Sequence, residues 1–143
     1  MKTNEENHGI PNWMRYKSAS IDLSKSETYL SPGAFCGNRY IERVILPEWA
    51  ETVPRNLFKG CTKLKEVTLP ADSDISESAF EGCVALTDIY LPLCIGNIAA
   101  NAFKGCPENI NFHMNSPIIS PEKLRQHIEK ELGRSIELYD NIG

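Results

Sequence analysis

Five cysteines and three histidines are the residues of this chain best suited to hold a metal, run a redox cycle or attack a substrate. The cysteines are Cys36, Cys61, Cys83, Cys94 and Cys106, and the histidines are His8, His113 and His127. Structural zinc takes four Cys or His side chains at short paired spacings such as Cys-x-x-Cys, and the sequence has no such pair. Instead Cys61, Cys83 and Cys106 recur at intervals of 22 and 23 residues. Side chains that repeat at a structural period point the same way rather than toward one another, which disfavours disulfides. These three are therefore expected to be buried thiols acting as small apolar groups. Cys36 and Cys94 fall outside the series and are expected to be more accessible. An odd cysteine count in a chain this long does not make a disulfide framework and fits a reducing compartment. No Ser, Cys or carboxylate lies in a recognisable nucleophile motif, and no Gly-rich phosphate loop occurs. The expectation is no enzyme active site, no metal and no cofactor; an enzyme or thiol redox protein would need a bound metal or a thiol of low pKa.

The elements that place the cysteines are repeats. Four segments align: SPGAFCGNRYIERVILP, PRNLFKGCTKLKEVTLP, SESAFEGCVALTDIYLP and AANAFKGCPENINFHMN. Their phenylalanines, Phe35, Phe58, Phe80 and Phe103, are separated by 23, 22 and 23 residues. Three copies read Phe-x-Gly-Cys; the first puts Asn38 in the cysteine slot, where its amide can hydrogen-bond neighbouring backbone. Further apolar positions coincide at Ile41, Leu64 and Leu86, at Val44, Val67, Ile89 and Phe112, and at Leu46, Leu69, Leu91 and Met114. Five residues before each Phe stands Leu30, Val53, Ile75 or Ile98. A partial earlier copy begins at Ile21.

Each apolar-x-apolar step reads as a short strand whose side chains alternate in and out. The prolines at Pro47, Pro70 and Pro92 lack an N–H and end these strands. Phe-x-Gly-Cys is too short for a long helix and suits one helical or 3₁₀ turn ending at Gly. One strand and one turn per 20–29 residues is the pattern of a leucine-rich-repeat solenoid. No coil can bury its own apolar edge, so each must stack on the next. At about 4.8 Å per strand, five or six coils make a stack roughly 25 Å long.

The run AFEGCVALTDIYLP resembles the BspA-like bacterial leucine-rich repeats, with their AF-x-GC-x-x-L and strand-Pro elements, over about residues 21–115. The resemblance implies an α/β solenoid with short parallel strands on one face and helical or 3₁₀ turns on the other. It also implies extracellular or surface-attached proteins that bind other proteins, sometimes as adhesins. The N-terminal stretch lacks the basic start and apolar run of a secretory leader. Taken alone that points to the cytosol, whereas the resemblance points to a surface or secreted adhesin whose leader is absent here.

The ends read as caps. An N-terminal cap or leader is expected over residues 1–20, with Trp13, Met14 and Tyr16 covering the first coil, then repeats over 21–115 and a C-terminal cap over 116–143. In that last segment Ser120 is the expected N-cap, Pro121 the first helical residue and Gly133 the stop, giving a helix over about 121–132. Ile119 and Leu124 have the spacing of a hydrophobic staple. Leu124, Ile128 and Leu132 form one apolar stripe. A strand over about 135–139 then extends the sheet through a right-handed crossover.

With 143 residues, net charge −4, 41% hydrophobic and 24% charged residues, the chain reads as one soluble globular domain. It has no basic cluster for nucleic acid and no apolar run of membrane-spanning length. Function then falls to the outward strand positions, read as Arg43, Glu66, Asp88 and Asn111 in one row and Ile45, Thr68, Tyr90 and His113 in the other. In a solenoid such rows line an extended binding face, so these eight are the candidate protein-binding residues, with Tyr90 the anchor. Trp49 is a second candidate at the rim.

Overall fold

The computed structural model describes residues 18–27, 29–91, 95–114 and 120–140. His8, Trp13, Met14, Tyr16, Pro92, Cys94, Asn115 and Ile119 lie outside these.

Each apolar-x-apolar step forms a strand: β1 (Ser20–Asp22), β2 (Arg43–Ile45), β4 (Glu66–Thr68), β6 (Asp88–Leu91) and β8 (Asn111–Met114). All pair in parallel with the next coil, and β9 (Glu137–Asp140) adds to β8, giving the order β1-β2-β4-β6-β8-β9. Register follows the repeat: Val44 faces Val67, Val67 faces Ile89, and Ile89 faces Phe112. These four are buried, while their strand neighbours are exposed or half-buried. Alternation thus survives in strands of only three or four residues, because one side of every coil must be dry.

The Phe-x-Gly segments are successive turns with 3₁₀-type bonds, interleaved with bonds between coils. Cys61 N–H donates to Phe58 O at 3.0 Å within the turn, while Phe58 and Gly60 donate to Ala79 O and Glu81 O of the next coil, each at 2.8 Å. The glycine is required by its backbone conformation: at Gly82 φ is +79°, a left-handed value that L-residues resist, while a Cβ there would meet the Gly60 nitrogen at an ordinary contact distance of 3.5 Å. Inside this ladder the phenylalanine rings queue, with centroids 5.4, 5.6 and 5.2 Å apart and planes within 16° of parallel. Asn38, wholly buried in the first cysteine slot, accepts from Tyr40 N–H at 2.7 Å and Ile41 N–H at 3.0 Å.

The apolar residues five before each Phe do more than line the core. Three of them, Val53, Ile75 and Ile98, belong to a second parallel sheet, β3 (Thr52–Val53), β5 (Ser73–Ile75) and β7 (Ile95–Ile98), in the order β3-β5-β7, whereas Leu30 lies in no strand. Here the uneven repeat length is absorbed. Ile75 follows Val67 by eight residues but Ile98 follows Ile89 by nine, and the register shifts between Ser73↔Ile95 and Ile75↔Ile98. The extra N–H, on Asn97, is taken by Asp74 Oδ1 at 2.8 Å. That carboxylate occupies the space beside Gly96, where a Cβ would come within 2.2 Å of it.

The helix α1 (Pro121–Leu132) starts at Ser120, whose hydroxyl accepts from Lys123 N–H, and stops at Gly133 in a left-handed conformation. Leu124 and Ile128 are buried in the common core. The polar side serves the sheet edge: Glu131 Oε1 accepts Ile98 N–H at 3.0 Å, and His127 Nε2 donates to Gly96 O at 2.8 Å. Helix side chains stand where another strand would bond to β7. Glu129 Oε2 likewise accepts Ile136 N–H at 3.1 Å, guiding the chain into β9.

Candidate functional site

The thiols occupy the inward slot of their turns. Sγ of Cys61, Cys83 and Cys106 each donates to the phenylalanine carbonyl of the preceding coil, Phe35, Phe58 and Phe80, at 3.0–3.1 Å. Burial pushes the Cys61 thiol up to about 12 and Cys106 up to about 11, and raises Cys83 as well. A thiol held neutral in this way is a poor nucleophile and metal ligand at ordinary pH. Cys36 is exposed. Among the described residues no three His, Cys, Asp or Glu side chains gather to hold a metal ion, and no helix is long and apolar enough to cross a membrane.

The thiol shifts make stability depend on pH. In the unfolded chain the thiols ionise from about pH 9; in the fold they keep their protons. The native state therefore binds more protons above that pH, and stability falls as pH rises. Each buried thiol is expected to remove about 1.4 kcal/mol per pH unit above pH 9, until its native pKa is passed. In urea melts between pH 9 and 11, Cys61→Ala should lose stability less steeply than wild type by about that amount. Equal slopes would mean that the thiol ionises within the fold.

On the outward face, register gathers the eight candidate residues. One row runs Ser20, Arg43, Glu66, Asp88, Asn111, Glu137; the other runs Asp22, Ile45, Thr68, Tyr90, His113, Tyr139. Arg43 and Ile45 are exposed and the other six of the eight half-buried. The geometry tightens toward the C-terminal end. Tyr90 stacks on His113 with centroids 4.4 Å apart, and His113 stacks on Tyr139 at 5.3 Å. His113 Nε2 donates to Asp88 Oδ1 at 2.8 Å, and Thr87 Oγ1 donates to Asp88 Oδ2 at 2.8 Å. Partial burial pushes the Asp88 carboxyl up, but hydrogen bonds from His113, Thr87 and Asn111 outweigh it and hold it below the usual carboxylate range. Burial, with the charges of Glu66 and Asp88, raises the Tyr90 phenol.

At the other end the face is looser. Arg43 Nε lies 3.6 Å from Glu66 Oε1, both half open to solvent. A shallow depression of about 210 Å³ opens there, lined by Asp22, Arg43, Ile45, Glu66 and Thr68 among others. Sequence reasoning missed Glu137 and Tyr139 as members of the rows. The signal was present, since the alternation Glu137-Leu138-Tyr139 matches that of Asn111-Phe112-His113 once the two strands pair.

Trp49 lies apart from the rows, half exposed, with Nε1 donating to Ser26 O at 2.6 Å. It walls a groove of about 430 Å³ with Tyr29, Leu30, Glu51, Thr52 and Pro54.

Comparison with known proteins gives one match. A family model described as a BspA type leucine rich repeat region matches residues 14–123 in six copies. No curated protein and no solved structure matches the chain.

Proposed function

This chain belongs to the BspA-type leucine-rich repeat family, a family of protein-interaction and adhesion-type repeat modules that is typically non-enzymatic, and on that premise we propose that it binds a protein partner across the outward face of its six-stranded sheet. Binding rests on shape and side-chain complementarity, with no bond chemistry. The observation that carries this reading is the unbroken ring file Tyr90–His113–Tyr139 on a solvent-facing sheet. Aromatic side chains supply large rigid contact area at little entropic cost, which is why they anchor interfaces. The strands hold the rings in place before any partner arrives, so little ordering entropy remains to oppose association.

A photo-crosslinking side chain at Thr68, on this face, and another at Lys59, on the exposed turn side, test the reading. In native extract, adducts identified by mass spectrometry are expected from position 68 and not from position 59, with both variants melting like wild type. Adducts from position 59 that equal or exceed those from position 68 would overturn it.

A further inference from the structure

We propose that the partner presents a lysine- or arginine-bearing extended segment, and that one of its cationic side chains seats over Thr68 against the side of the Tyr90 ring that faces away from His113. This rests on the strand-face reading above and adds the chemistry of the partner.

One face of Tyr90 is covered by His113, whose ring lies 14° from parallel. Along the stack in the opposite direction the neighbour in register is Thr68, a side chain too small to cover an aromatic ring. Beyond Thr68 lies the depression that Ile45 and Glu66 help to line. A cation over Thr68 would therefore sit in a slot between that depression, whose lining includes the Glu66 carboxylate, and the Tyr90 ring one coil step on. An aromatic face beside carboxylates attracts a cation through both its quadrupole and the Coulomb field.

Charge on the whole face points the same way. Outward positions from β1 to β9 carry Asp22, Glu66, Asp88 and Glu137 against the single cation Arg43. Among the described residues the Arg43 guanidinium is held by an open contact to Glu66 and a hydrogen bond to Ser20 at 3.4 Å, so it leaves the face net acidic and yields readily to a competing cation. Spacing also fits a strand-like ligand lying along the stack. Three coil steps from Glu66 to Glu137 span about 14 Å, close to the rise of about 13–14 Å between residues i and i+4 of an extended chain.

The test uses the full chain and fluorescence anisotropy with two labelled peptides, one alternating lysine with serine and one alternating glutamate with serine. The lysine peptide is expected to bind about tenfold or more tightly than the glutamate peptide at low salt, and to weaken as salt screens the face. Tyr90→Leu, which keeps apolar bulk but removes the ring, should weaken the lysine peptide about fivefold. Thr68→Arg, which fills the slot with the chain's own cation, should abolish the preference. Equal binding of the two peptides, no binding of either, or no effect of Tyr90→Leu would overturn the proposal. A partner that crosslinks at position 68 with no Lys or Arg at the junction would overturn this inference alone, whereas crosslinks confined to position 59 would remove the face it rests on.

Discussion

Phe80→Ala is expected to lower the unfolding free energy by about 3–5 kcal/mol. Phe80 is wholly buried, with Phe58 at 5.6 Å on one side and Phe103 at 5.2 Å on the other. The cost of such a truncation depends on whether the site can collapse, and here it cannot. Spacing between coils is fixed on both sides by backbone bonds, Phe58 N–H to Ala79 O and Phe80 N–H to Ala102 O, each at 2.8 Å. The neighbouring rings cannot close the gap without breaking that ladder, so a cavity persists. Phe103, at the end of the file and 6% exposed, stacks on Phe80 alone of the described phenylalanines and should lose less on the same substitution. Equilibrium urea denaturation of both variants checks the ranking; a loss below about 1 kcal/mol for Phe80→Ala would be incompatible with a central ring in a rigid stack.

Ile128→Asp should undock α1. An isolated carboxylate costs far too much to bury, so the helix leaves the core instead. With it go Glu131 from Ile98 N–H and His127 from Gly96 O, leaving the β7 edge to solvent. In a stack where each coil touches only its neighbours, damage at one end propagates gradually. Hydrogen exchange is expected to accelerate at least about a hundredfold at Ile95–Ile98 and Glu137–Asp140, a local loss of about 2.7 kcal/mol or more. Amides of Val44 and Val67 should stay protected. Unchanged exchange at β7 would show that the helix does not hold that edge, and uniform loss everywhere would show that the coils unfold as one unit.

Much of this architecture is written in the chain because it rests on a period. Phe35, Phe58, Phe80 and Phe103 queue, and Cys61, Cys83 and Cys106 take equivalent slots, because equal spacing on equal coils leaves no other way to bury them. Inward and outward parity at Val67 and Thr68 followed from alternation, and α1 from Ser120, Pro121, Gly133 and an apolar stripe. The exchange of Cys for Asn38 was readable too, since an amide can bond the N–H groups that a thiol leaves alone. Tyr90 and His113 were legible as neighbours in one row, but nothing local said that their rings would stack or that Asp88 would hold the imidazole. That depends on side-chain torsions set by contacts between coils.

The sequence by itself determined the repeat, its interior and the row of residues turned to solvent, because these depend on residue type and spacing alone. Only the tertiary structure decided the second sheet, the bulge at Asp74 and Asn97, the sealing of Ile98 by Glu131, and the ring file completed by Tyr139. Strands as short as Thr52–Val53 carry no alternation to read; they form because stacking brings backbone groups of successive coils into bonding distance. The helix-to-edge bonds join residues more than thirty apart in the chain. Such pairings come into being only when the coils close on one another.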